Sequence, residues 1–178
     1  MSGPKIPTPA RSRGYTAIEL MFTIAIAALV AGLAVPNFRD FLQNNRAAEE
    51  ANALVGALIL ARSEAVTRGV PVTVCSSTDN ATCAADTDWT TGWIVFTDID
   101  TAGTVDVNDQ VLRALPALRA GSDLSADANF VAYNTSGFLN SAAGISFALD
   151  IPDCTGNHNR NITVNLQGRV AVANAACN

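Results

Sequence analysis

After Lys5 this 178-residue chain has no lysine, and its only histidine is His158. It also lacks a GxSxG nucleophile elbow and a phosphate-binding loop. These absences remove the usual bases, nucleophiles and nucleotide cradles, so the sequence predicts no enzyme and no cofactor. Asp98, Asp100, Asp106 and Asp109 could do acid/base work only inside an apolar pocket, and their neighbours read as a solvated loop. The four cysteines contain no CxxC, which with a single histidine argues against a metal site. Charge is sparse as well, at 15% of residues and a net of −5, which disfavours partners that are polyanions.

What the chain does have is a run of sixteen residues, Leu20 to Val35, without a charge and with Thr23 as its polar member. With Tyr15 to Ile18 it approaches the roughly 20 residues needed to cross a bilayer. A secretory signal peptide fits less well, because Ala34, Val35 and Pro36 lead directly into an amphipathic segment. Lys5, Arg11 and Arg13 precede the run with no acid among them, so the positive-inside rule keeps the N-terminus cytoplasmic and exports the rest. The length suits one domain with a long appendage.

Asn37 to Arg68 reads as continued helix, with Ala47, Ala51, Leu54, Val55, Leu58 and Ala65 on an apolar face and Arg46, Glu49, Glu50, Arg62 and Glu64 opposite. Gly69 and Pro71 stop it. From Thr16 to Arg68 is 53 residues, about 80 Å of helix at 1.5 Å each, so its first half is expected to project beyond any head, bending at Gly32 or Pro36. Beyond Val70 the runs "VPVTVC", "GWIVFTD", "QVLRAL", "NFVAYN", "GISFALDI", "NITVNL" and "RVAVA" predict six or seven mostly antiparallel strands laid on the amphipathic half of the helix. The class is α+β.

Cys75, Cys83, Cys154 and Cys177 all fall in the exported part, where disulfides form. Four cysteines allow three pairings. Joining Cys154 to Cys177 would clasp the last two strands, leaving Cys75 to close the loop "SSTDNATC" on Cys83. Asp98, Asp100, Gly103 and Asp109 occupy the first, third, sixth and twelfth positions of an EF-hand-like calcium loop. Ala102 fails at the fifth, and strand-like flanks favour an Asp/Gly-rich turn.

Glu19 lies at the edge of the apolar run, where a charge costs about 2.5 to 3.5 kcal/mol and calls for a cationic partner. A cut just before Tyr15 would supply one, since the carboxylate of one subunit could neutralise the new amine of its neighbour. The stretch "GYTAIEL" resembles the cleavage signature of type IV prepilins and type II secretion pseudopilins. That resemblance implies peptidase cleavage after Gly14, N-methylation of Tyr15 and a docking role for Glu19. The usual first residue is Phe, so Tyr15 is a departure that keeps the ring.

Downstream, "ARSEAVTRG", "GWIVFTDIDTAGTVDVNDQVLR", "YNTSGF" and "ITVNLQGRV" resemble, in that order, the GspH/FimT family. The resemblance implies a pilin-like fold in three parts: a leader over 1–14, a transmembrane and amphipathic helix over 15–69 and a β-rich head over 70–178. It implies a minor pilin that primes or caps a type IV pilus, or else a minor pseudopilin of type II secretion. The implied partners are other minor and major pilins and the prepilin peptidase. The implied location is the bacterial inner membrane, with the head in the periplasm, then the pilus or cell surface. Some FimT-like minor pilins capture DNA during natural transformation through a G-R-x-R motif, which is the alternative function the resemblance implies; Gly168 and Arg169 match its first half, but Ala171 stands where the second arginine belongs. Arg160 and Arg169 are the candidate DNA contacts, brought together if "NITVNL" and "RVAVA" pair. The alternative for Arg169 is a turn residue that packs its stem or pairs with Asp150 or Asp153. Without the leader, eight basic residues face sixteen acidic ones, a net of −8 that repels DNA.

Overall fold

The computed structural model describes residues 14–177, apart from the side chains of residues 33–37. Lys5, Arg11 and Arg13 lie outside the described residues. The chain divides into two compact units with the boundary between Arg39 and Asp40. One helix, α1 (Ala17–Arg68), contributes residues to both. It ends where Gly69 takes φ +68° and its N–H reaches the Ala65 carbonyl at 3.1 Å, a left-handed cap that a side chain would strain.

The second unit builds eight strands around the C-terminal part of α1. They are β1 (Val72–Ser76), β2 (Trp93–Thr97), β3 (Val111–Leu115), β4 (Asp123–Ala126), β5 (Phe130–Tyr133), β6 (Ile145–Asp150), β7 (Asn159–Val164) and β8 (Val170–Ala175). They form two four-stranded antiparallel sheets, ordered β3-β2-β1-β5 and β4-β6-β7-β8. The class is α+β, as the sequence predicts. Two features go beyond the expectation. The strands divide between two sheets, because β1 pairs with β5 across three intervening strands. And β4 was not foreseen: "DLSA" offers one large apolar residue, Leu124, which is buried in the core.

Every residue of β1 and β2 is buried, as befits strands covered on both faces, whereas β6 and β7 largely alternate, with one face toward solvent. Ala47, Ala51, Leu54, Leu58, Ala61 and Ala65 recur every three or four residues and are buried along one stripe of α1. Four of the six are alanine, so the sheets can approach the helix closely. The stripe joins Val72, Val74, Val131, Phe147, Leu149, Ile162 and Val164 in one core. Trp89 meets Phe147 edge-on there, with ring centroids 4.9 Å apart.

The charged face of α1 is less exposed than its periodicity implies. Glu50 is buried and pairs with Arg46 at 3.2 Å, while Arg46 also donates to the carbonyls of Arg119 and Ala120 at 2.9 and 2.8 Å. Arg62 donates to the carbonyls of Gly137 and Gln167, each at 3.0 Å. Head loops wrap the flanks of the helix, so these arginines bind loop backbone instead of facing water.

Candidate functional site

Gly14 and Tyr15 precede the helix without regular structure, and both are exposed. Thr16 is the N-cap. Its carbonyl accepts the first helical bond from Leu20 N–H at 3.1 Å. Its hydroxyl accepts from Glu19 N–H at 3.3 Å, and its N–H and hydroxyl each donate to Glu19 Oε2 at 3.4 Å. This is a capping box, T-x-x-E, a signal present in "YTAIEL" that the sequence reading passed over. It gives Glu19 a local task as well as a charge beside the positive end of the helix dipole. The bonds are long, and the carboxylate is exposed, so an approaching cation can still reach it.

Behind it, Ile18, Leu20, Met21, Phe22, Ile24, Ile26, Leu29 and Val30 are all exposed, on every side of the helix. Ile18, Met21, Phe22 and Ala25 line one shallow apolar concavity. Among the described residues no helix is long and apolar enough to cross a membrane. The run to Val35 enters the stretch 33–37, whose side chains lie outside the description.

In the head, Cys75 is bonded to Cys83 and Cys154 to Cys177. The Asp-rich loop folds over the outer face of the first sheet, where Val105 and Phe130 join a small cluster with Cys75, Ile94 and Phe96. Its carboxylates accept from the loop's own N–H groups and from β1, although Asp98 Oδ1 is buried without a partner among the described residues. Asp98 Oδ2 accepts from Thr73 Oγ1 at 2.5 Å and from Gly103 N–H at 2.8 Å. Asp109 accepts from the N–H groups of Ile99 and Asp106 at 3.0 and 3.1 Å, and Asp100 accepts from Asn108 Nδ2 at 2.7 Å. Among the described residues no three His, Cys, Asp or Glu side chains are grouped to hold a metal ion.

The two arginines considered for DNA are not brought together. β7 and β8 do pair, but Arg160 lies opposite Asn174, whereas Arg169 precedes Val170, which lies opposite Val164 at the other end of the hairpin. Arg160 is buried, at 6% exposure. Its guanidinium donates to the carbonyls of Asn157, His158 and Asn159 and to Asn44 Oδ1 at 2.5 Å, tying β7 to α1. A guanidinium so engaged cannot meet a phosphate, and that burial depends on Asn44, 116 residues away, which no local pattern reveals. Arg169 is exposed in the β7–β8 turn and has no ion pair among the described residues; Asp150 instead accepts from Asn159 Nδ2.

Residues 50–168 match the family model described as Type II transport protein GspH. The chain belongs to the GspH family. No curated protein sequence matches it. In fold it is similar to the type IV minor pilin FimU of Pseudomonas aeruginosa strain PAO1. That likeness has a TM-score of 0.56 at 22% identity and covers 76% of this chain and 92% of FimU. It is also similar to the minor pseudopilin EpsH of the Vibrio cholerae type II secretion system. There the TM-score is 0.51 at 12% identity, over 75% of this chain and 98% of EpsH. By its family model the chain is thus of the GspH type, and its fold is like those of the minor pilin FimU and the minor pseudopilin EpsH.

The glycine of the family-like "GR" pair has a structural role in this GspH-type head. Gly168 takes φ +72°, and a Cβ there would lie 2.2 Å from the Gly137 carbonyl oxygen and 3.2 Å from Arg62 Nε. Gly137, Gly168 and Arg62 therefore lock two loops to the helix. In the small disulfide loop, Asp79 caps the turn. The Thr82 N–H and hydroxyl, then the Ala81 N–H, hold its carboxyl well below the usual carboxylate range.

Proposed function

We propose that the chain is the precursor of a minor pilin. Residues 1–14 are a leader removed by a prepilin peptidase after Gly14. Residues 15–69 form the helix that spans the inner membrane and then docks among the helices of other minor and major pilins. Residues 70–178 are the head, carried first in the periplasm and then on the pilus at the cell surface. In that setting the subunit primes or caps a type IV pilus.

The observation that carries this reading is the exposure of every large apolar side chain from Ile18 to Val30, headed by a carboxylate that only long local bonds engage. Covering each of those side chains is worth about 1.5–3 kcal/mol, and lipid or neighbouring helices supply the cover. Cutting after Gly14 leaves Thr16 and its capping box in place and creates an amine on Tyr15. A neighbour's amine can then neutralise Glu19 within the apolar layer.

Glu19→Ala tests the reading in the full chain. The variant is expected to insert and to lose its leader, seen as a shift in mass, yet to be missing from sheared filaments. Incorporation at the wild-type level would contradict it. A second reading, a minor pseudopilin of type II secretion, is favoured by the matched family description and by the likeness to EpsH. Deletion of the gene separates the two: loss of piliation and twitching supports the pilus, and loss of protein secretion with normal pili supports the pseudopilus. DNA capture loses Arg160 to burial and rests on Arg169 alone.

A further inference from the structure

Each four-stranded sheet has two edges, and three of the four are guarded. The β4 edge is covered by its own chain, with Trp89 N–H on the Leu124 carbonyl at 2.7 Å and Ala126 N–H on the Thr87 carbonyl at 2.9 Å. The β5 edge is covered likewise, through the bridge of Tyr133 to Leu139 and the bond from Asn140 N–H to the Ala132 carbonyl at 2.8 Å. The β3 edge is blunted by the charge of Arg113 and by a register shift against β2 at Val95/Phe96, and Pro116 follows it. These are the usual devices against unwanted strand pairing. β8, "VAVANA", has none of them. It is six residues long, carries no charge and no proline, and keeps an unbroken register with β7.

The hairpin closes with Asn165 N–H on the Arg169 carbonyl at 3.0 Å. Counting from that bonded pair, antiparallel alternation turns the backbone groups of residues 171, 173 and 175 toward β7 and those of Val170, Val172 and Asn174 outward. Among the described residues no backbone group bonds to those three from outside. The side chains add a second sign. Val172 lies opposite Ile162, which is wholly buried, yet Val172 is 46% exposed, so the core continues past the last strand with nothing over it among the described residues.

We propose that β8 is a strand-addition site, filled by an extended, uncharged strand from the head of a neighbouring pilin-type subunit. The inference rests on the assembly reading above. A six-residue strand is about 20 Å long and presents an edge about 10 Å deep, so pairing buries about 400 Å² in total. That is well below the roughly 1,200 Å² of a stable free complex. The occupant must therefore be held alongside already, as subunits sharing one membrane or filament are, which raises its effective concentration. A second copy of this chain fits less well, because its head repeats eleven aspartates against four arginines after Gly69. A companion of different sequence avoids that repulsion. Its inward side chains would be apolar and would cover Val170 and Val172, as in other strand-addition complexes.

The test places a photo-crosslinking residue at Ala173 in the full chain, in cells assembling filaments, and at Ser125 on the covered β4 edge for comparison. The position at Ala173 is expected to form an adduct with a different pilin-type subunit, and the one at Ser125 none. Val172→Pro removes the central outward N–H and leaves the β7-facing groups in place. It should lower filament incorporation roughly fivefold, the effect of one backbone hydrogen bond. Ala173→Lys, which adds a charge on the solvent face without touching the backbone, should act in the same direction should the proline disturb folding. Wild-type incorporation of both variants, with Glu19→Ala still excluded, would overturn the strand-addition site and leave the pilin reading standing. An adduct of twice the chain's own mass would overturn the choice of occupant. Absence of the wild-type protein from filaments would sink both readings.

Discussion

Two stretches of one helix are built from side chains of opposite size. Between Ile18 and Val30 eight of the thirteen residues are Ile, Leu, Met, Phe or Val, and all eight are exposed; between Ala47 and Ala65 most of the apolar stripe is alanine, and it is buried. Size therefore reports what each stretch packs against. Alanines bring a helix close to a sheet of its own chain, where every contact is already made. Large side chains without cover gain nothing until another body arrives, and arranged all round a helix they suit a layer of lipid or a bundle of helices.

The widest separation of the two stretches comes from one substitution made in each. Leu58→Ala empties a wholly buried site and should cost about 2–5 kcal/mol. Denaturant unfolding followed by the fluorescence of buried Trp89 and Trp93 would read that loss. Leu29→Ala, at a site 70% exposed, should leave the same unfolding curve unchanged while lowering incorporation into filaments. If Leu29→Ala unfolded the head, the division of labour along the helix would be wrong.

A smaller effect divides the neighbours Gly168 and Arg169. Gly168→Ala must place a Cβ where the Gly137 carbonyl stands, at a φ of +72°, and should cost about 1–3 kcal/mol from backbone strain, with the clash adding to it. Arg169→Ala should stay within about 0.5 kcal/mol of the parent. Neither the parent nor Arg169→Ala should shift duplex DNA at micromolar protein in about 0.15 M salt, since one exposed arginine neutralises too few phosphates. A shift that Arg169→Ala removed would return DNA capture to first place.

What could be read in advance follows from how local the signal is. The helix, its stop at Gly69 and seven strands carry their periodicity in their own residues. β4 does not: Asp123, Ser125 and Ala126 have no strand preference, and the strand exists because Leu124 enters the core and β6 pairs with it. The division into two sheets rests on β1 meeting β5, a pairing between distant segments. Burial of Arg46 and Glu50 depends on a loop arriving from far along the chain, and that of Arg160 on Asn44 of the helix. The capping box of Thr16 and Glu19 is the contrary case, written in four consecutive residues.

The chain's two tyrosines extend the comparison between the regions to the mildest test. Tyr15, ahead of the helix, is 85% exposed; Tyr133, in β5, is buried, and its hydroxyl has no hydrogen-bond partner among the described residues. Burial pushes the Tyr133 phenol above its ordinary value, and the Arg62 guanidinium offsets only part of that. The direction for stability follows. An unfolded tyrosine ionises near pH 10, whereas the folded one stays protonated to higher pH, so above about pH 10 the unfolded chain binds fewer protons and the head loses stability as pH rises. The loss accrues at up to about 1.4 kcal/mol per pH unit and is absent at neutral pH. With Lys5 as the single lysine, few other side chains titrate in that range. Tyr133→Phe should therefore match or slightly exceed the parent at pH 7, because an unpartnered buried hydroxyl is removed, and should lose less stability between pH 9 and 11. Urea unfolding at the three pH values measures it. Equal losses in parent and variant would mean that the hydroxyl finds water in solution, and that this corner of the core is more open than its burial implies.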